Sequence, residues 1–125
     1  MPTDALTMFR DTMQETEGYG FDKVCAEQQE LGTRVRALLT NRGFKSVAAE
    51  GFQAPSVIVS HTNDVDIHNG KKFLAAGLQI AAGVPLQCDE PDDFQTFRLG
   101  LFGLDKLHNI DRTVETLEQA LDQIL

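Results

Sequence analysis

Apolar residues in the first third of the chain recur at helical spacing. Leu6, Phe9 and Met13 form one stripe over residues 3–17, with Thr3 placed as an N-cap and Asp4 in the first turn. Gly18-Tyr19-Gly20 interrupts that stripe as a kink or loop. A second, longer stripe runs through Val24, Gln28, Leu31, Val35 and Leu38, is widened by Leu39, and predicts a helix from about Phe21 to Leu39. Asn41-Arg42-Gly43 closes it, since Gly43 can take the left-handed conformation that a Cβ disfavours. Gly32 lies inside this helix at a cost of about 1 kcal/mol relative to Ala. Close approach of another backbone and a tolerated surface glycine both account for it, and no function is assigned to it.

After Gly43 the period shortens. Residues 45–49 (Lys45 to Ala49) and 56–61 (Ser56 to His61) read as two antiparallel strands joined through Gly51-Phe52-Gln53-Ala54-Pro55. Asn69-Gly70 leads into a short helix, Lys71 to Ala76, stopped by Gly77, and a brief extended piece spans Leu78 to Ala82. Gln95 to Phe102 alternates as a strand, with Phe97, Leu99 and Leu101 on one face and Thr96, Arg98, Gly100 and Phe102 on the other. Asn109 is placed to cap a final helix whose stripe is Ile110, Val114, Leu117, Leu121 and Ile124. The expected fold is α+β, a small antiparallel sheet of about three strands with helices on one face, with no internal repeat or low-complexity linker.

Composition narrows the classes of function. The 125 residues, 42% of them hydrophobic and 24% charged, suit one globular domain or part of a larger one. Eleven basic against 19 acidic residues leave a formal net charge of −8, with a local cluster at Asp89, Glu90, Asp92 and Asp93 in a loop expected to be solvated. That balance argues against nucleic acid or anionic lipid as the main partner, because both demand a basic patch. Neither a signal-peptide pattern nor an apolar stretch of membrane-spanning length is found, which predicts a cytoplasmic chain. Cys25 and Cys88, too few for a disulfide framework and without Cys-x-x-Cys spacing, read as reduced.

Two groups of residues could carry chemistry. Arg98 points away from the apolar strand face, and its same-face neighbour Gly100 has no side chain, so a carboxylate ligand could reach the guanidinium. The planar fork of Arg binds a carboxylate through two parallel hydrogen bonds. Pairing of Arg98 with a nearby acid at the surface is the plainer alternative. The segment His61 to His68 gathers His61, Asp64, Asp66 and His68, residue types that zinc accepts, but at a spacing that matches no closed metal motif. Asp and Asn also cap helices and make turns between a strand and a helix, which accounts for the same residues. No Gly-x-Ser-x-Gly, Gly-Lys-Ser/Thr phosphate loop or His-Glu-x-x-His occurs.

Several segments taken in order carry a resemblance. They are Pro2-Thr3-Asp4-Ala5-Leu6, Gly20-Phe21, the helix from Gln28 to Leu38 with its Leu31-Gly32, Gly51-Phe52-Gln53-Ala54-Pro55, and Thr96-Phe97-Arg98-Leu99-Gly100-Leu101-Phe102-Gly103. Over essentially its whole length the chain resembles the C-terminal small domain of class V, fold-type I, pyridoxal-phosphate-dependent aminotransferases, and is similar to the alanine–glyoxylate, serine–pyruvate and 2-aminoethylphosphonate–pyruvate group. The resemblance implies a linker helix from the large domain at residues 1–17 and the small domain at 18–125. It implies that Arg98, with Gly100 beside it, holds the carboxylate of an amino or oxo acid, and that none of these residues is itself catalytic.

Members of that family hold pyridoxal phosphate through a lysine and an aspartate of a large N-terminal domain. Lys23, Lys45, Lys71, Lys72 and Lys106 match nothing in the lysine-bearing motif, so no cofactor binding is expected of this chain alone. It would then be a truncated product, a proteolytic remnant or an isolated domain, and its first helix should expose apolar side chains and favour homo-oligomers. A non-catalytic carboxylate-binding or assembly module, completed by a separately encoded partner, is the alternative. A metal-assisted hydrolase built on His61, Asp64 and His68 is a third reading.

Overall fold

A computed structural model describes residues 2–125. Its elements in chain order are α1 (Thr3–Tyr19), α2 (Phe21–Asn41), β1 (Val57–His61), α3 (Val65–His68), α4 (Lys71–Ala75), β2 (Ala81–Ala82), β3 (Thr96–Gly100), α5 (Leu104–His108) and α6 (Ile110–Ile124). The three strands form one antiparallel sheet in the order β1-β3-β2. The α+β class and the three-stranded antiparallel sheet are as the sequence predicts. The membership of the sheet is not.

The central strand β3 pairs Leu99 with Ile58 and Phe97 with Ser60 on one side, and Arg98 with Ala81 on the other. Ile58, Phe97 and Leu99 are buried in one cluster with Leu31, Val35 and Leu39 of α2, Phe73 of α4, and Leu117 and Leu121 of α6. Alternation then turns Val57, Val59, Arg98 and Gly100 to the opposite face, where they are exposed or half-buried. Sequence and register together therefore leave one side of the sheet open. Thr96 is the exception on that side. It is buried where the chain at Gly83 lies against it, so closely that any Cβ at Gly83 would collide with the Thr96 carbonyl.

Residues 45–49 do not form the predicted strand. Ser46 makes a single antiparallel bridge to Ser60, with Val47 donating to the Val59 carbonyl at 3.0 Å and His61 to that of Lys45 at 2.8 Å. The Ser46 hydroxyl then accepts the Ala48 amide at 3.2 Å and an Arg36 N–H at 3.2 Å, a local turn that competes with the ladder and leads the chain away. The third strand comes instead from the tail of the extended piece, as Ala81–Ala82.

Helix ends show smaller differences. Pro2 occupies the cap position of α1, Thr3 is already helical, and the break between α1 and α2 is Gly20 alone, at φ 111°. Asn109 stands at the cap of α6 but turns its side chain back to the Asp105 carbonyl at 2.9 Å, which ties α5 to α6. The short helices α3 and α5 have no counterpart in the sequence reading, being too brief to show a period. Gly32 is explained: a Cβ there would sit 2.7 Å from the Pro55 carbonyl oxygen, so glycine lets the loop pack directly on α2. Gln28 secures the same crossing, donating to the carbonyls of Pro55 at 3.0 Å and Leu101 at 3.2 Å.

The acidic loop is more ordered than solvation alone requires. Its Glu90 carboxylate accepts the backbone amides of Leu86, Gln87 and Cys88 at 2.7, 2.8 and 2.8 Å. These bonds hold Gln87 and Asp89 at φ 59° and 63°, in the left-handed region that non-glycine residues seldom occupy. Asp89, Asp92 and Asp93 are exposed.

Candidate functional site

Arg98 stands in the middle of the open sheet face, directly opposite Val59 of β1 and Ala81 of β2. Its Nε donates to the Ala82 carbonyl at 2.9 Å, across to the edge strand. That bond orients the guanidinium and engages its Nε–H. The two terminal nitrogens make no hydrogen bond, and the side chain no ion pair, with any of the described residues. Each of the other engaged arginines is spent on the protein itself: Arg10 on Asp11, Arg34 on Asp111, Arg42 on Asp122, Arg112 on Asp105, and Arg36 on Ser46 and Ala54. The plainer alternative, a surface ion pair for Arg98, is thus absent among the described residues. What remains is a positioned cation whose fork-shaped outer edge is open, the geometry that accepts a carboxylate through two parallel bonds.

Gly100 lies two residues along the same face, and its Cβ position is not empty space. The ring of Phe102 folds back to 3.1 Å from where that Cβ would be. Glycine therefore admits the Phe102 ring at this point, rather than leaving bare space along the face of Arg98. The residues paired with Arg98 on its two sides, Val59 and Ala81, are apolar and half-buried or exposed. No sequence signal points to Ala82 as the partner of Nε, because a two-residue edge strand has no period and its pairing is set across 16 positions of chain. The outward direction of Arg98, by contrast, follows from alternation alone.

His61, Asp64 and His68 are not brought together as ligands. Asp64 caps α3, accepting the amides of Asp66 at 2.9 Å and Ile67 at 3.3 Å, and pairs with the Lys72 ammonium. The bond from Lys72 holds the Asp64 carboxyl below its usual range, with the two amides adding to the effect. His68 donates through Nδ1 to the Thr96 carbonyl at 2.7 Å. His61 sets its ring edge-on to that of Phe94, with centroids 5.5 Å apart. Among the described residues no three His, Cys, Asp or Glu side chains converge as a metal site would require. The segment does the capping and turning that its Asp and Asn residues favour.

Pyridoxal phosphate needs a lysine for its aldehyde and an acid for its pyridine nitrogen in one cavity. Three of the five lysines are engaged elsewhere. Lys23 lies 4.3 Å from the centre of the Tyr19 ring, Lys72 is held by Asp64, and Lys106 donates to the Phe102 carbonyl at 3.3 Å. Neither the cavity lined by Lys106 nor the one lined by Lys72 has an acidic residue in its wall. Lys23, Lys72 and Lys106 therefore do not fit the role of the cofactor lysine.

No protein-family model matches the chain, and no similar curated protein was found. No helix among the described residues is long and apolar enough to cross a membrane.

Proposed function

We propose that this chain is the small domain of a pyridoxal-phosphate-dependent aminotransferase of class V, in which Arg98 grips the carboxylate of the amino or oxo acid. The observation that carries the reading is the state of Arg98: planted on an open sheet face, oriented through Nε by Ala82, and free at both terminal nitrogens. The whole-chain resemblance supports the family, and in this reading the cofactor is held by the large domain of that family. The chain's own contribution is to bind and orient; the electron sink belongs to the complete enzyme. A cytoplasmic setting agrees with two unpaired, exposed cysteines.

Two measurements on the purified chain test this. Titration with pyruvate, followed by NMR at the arginine side chains, should shift the Arg98 signals in a saturable way, and Arg98→Gln should abolish the response while the other arginines stay unmoved. Addition of pyridoxal phosphate, borohydride reduction and mass analysis should find no stoichiometric adduct. No response of Arg98 to pyruvate removes the assigned role; a single modified lysine at one equivalent shows that the chain builds its own cofactor site and overturns the division of labour.

A second reading, an assembly module, has an observation in its favour. Leu6, Phe9 and Met13 on α1 are 51, 65 and 53% exposed, and no residue of that helix is buried. Such a ridge suits a protein partner or a second copy.

A further inference from the structure

A cavity of about 240 Å³ opens between the β2–β3 edge of the sheet and α6. Side chains of the core form its floor: Val35, Leu99, Leu101 and Leu117, all buried, reach it from α2, the β3 segment and α6. Leu78 and Ile80 from the extended piece before β2 wall it. The only charged residues lining it are Lys106 and Arg112, in a chain that carries 19 acidic residues against 11 basic ones. Asp105, which pairs with Arg112 at 2.6 Å, is not part of the lining. Lys106 has no acid partner among the described residues; its ammonium donates only to the Phe102 carbonyl, at 3.3 Å.

The hydroxyls at the cavity wall are already spent. Thr113 donates to the Asn109 carbonyl at 2.9 Å and Thr116 to that of Arg112 at 2.7 Å. The donors left for a ligand are then the cations Lys106 and Arg112 and the side-chain amide of Gln79, against a lining that is otherwise mostly apolar. A cavity of this size exceeds the ~150 Å³ that admits benzene and falls short of the ~300 Å³ at which sites for drug-sized molecules begin.

We propose that this cavity is a binding site for a small monocarboxylate with an aliphatic tail, the tail lying over Leu99, Leu101 and Leu117 and the carboxylate meeting Lys106. Burial of the tail supplies the affinity. The charge-assisted bond from an ammonium with no competing acid selects an anionic head over a neutral one. Arg98 is not among the lining residues, so the site stands or falls separately from the carboxylate role of that arginine.

Octanoate titrated into the full chain, with methyl signals followed by NMR, tests the proposal. Saturable shifts are expected at Leu99, Leu101 and Leu117, weaker by about tenfold or more in Lys106→Gln and lost in Thr116→Phe, which fills the opening from an exposed helix position. Octanol should bind less tightly than octanoate in the unaltered chain and equally in both Lys106 forms. Shifts confined to Leu6 and Met13, or no saturable shift at all, overturn the site. Octanol binding as tightly as octanoate, with Lys106→Gln neutral, overturns the choice of a carboxylate. A cavity closed by a second copy, seen as the same methyls shifting with protein concentration and ignoring octanoate, overturns it as well.

Discussion

Helices α1 and α6 are both read from the sequence as amphipathic, and they meet opposite fates. The stripe of α6 places Leu117, Ala120 and Leu121 against the core, with Ile110, Val114 and Ile124 packed around them. The stripe of α1 buries nothing. Chain geometry explains the difference. α6 returns over the sheet and meets α2, α4 and α5, whereas α1 is joined to the domain at Gly20 and touches α2 near that junction, where Tyr19 bonds to Glu27 and sets its ring against His108. Periodicity tells which face of a helix would be covered. It does not tell whether a partner arrives.

Stability measurements would break this comparison most directly. Leu121→Ala removes a fully buried side chain from α6 and should cost about 2–5 kcal/mol, whereas Phe9→Ala on α1 should change stability by less than about 0.5 kcal/mol. Denaturant unfolding of the two variants checks it; equal losses would mean that α1 is covered in solution. A smaller effect concerns assembly. Sedimentation of the unaltered chain should show mass rising with concentration, and Phe9→Glu, which places a charge on the ridge, should shift the distribution to monomer. A monomer at every concentration would remove the assembly reading and leave the ridge solvated.

The smallest effect is local. The amides of Cys88 and Gln87 hold the Glu90 carboxyl down at about 2, against a usual value of 4.5. A carboxylate favoured in this way keeps its bonds above the usual value and loses them only as pH falls through the lowered one. Amide signals of Leu86, Gln87 and Cys88 should therefore hold steady through 4.5 and move near 2. Movement centred on 4.5 would show that the loop is not clasped by Glu90. This loop, like α6, would be a segment that found its partner, and α1 the one that did not.

Legibility in the sequence followed the range of the interactions. The helix expected from Phe21 to Leu39 runs to Asn41, Gly43 takes the left-handed conformation, and Phe97, Leu99 and Leu101 are buried as their alternation requires. Asp64 as a cap is equally local, a side chain reaching amides two and three residues on. Residues 45–49 misled because their β-pattern is real but short, and a serine hydroxyl offered the backbone another partner. At the candidate site, the direction of Arg98 was readable and its anchoring was not: the Ala82 carbonyl reaches Nε only through pairing of β2 with β3.

By itself, then, the sequence determined the helical stripes, the faces of β3, and the outward placement of Arg98. Each depends on spacing within a few residues, where side-chain direction repeats with the backbone. The tertiary structure alone decided which extended piece joined the sheet, that Asp64 pairs with Lys72 and not with two histidines, that Phe102 folds over Gly100, and that one amphipathic helix is covered and the other bare. Those outcomes turn on which surfaces meet once the chain has closed, and burial is proportional to the area that actually finds a partner.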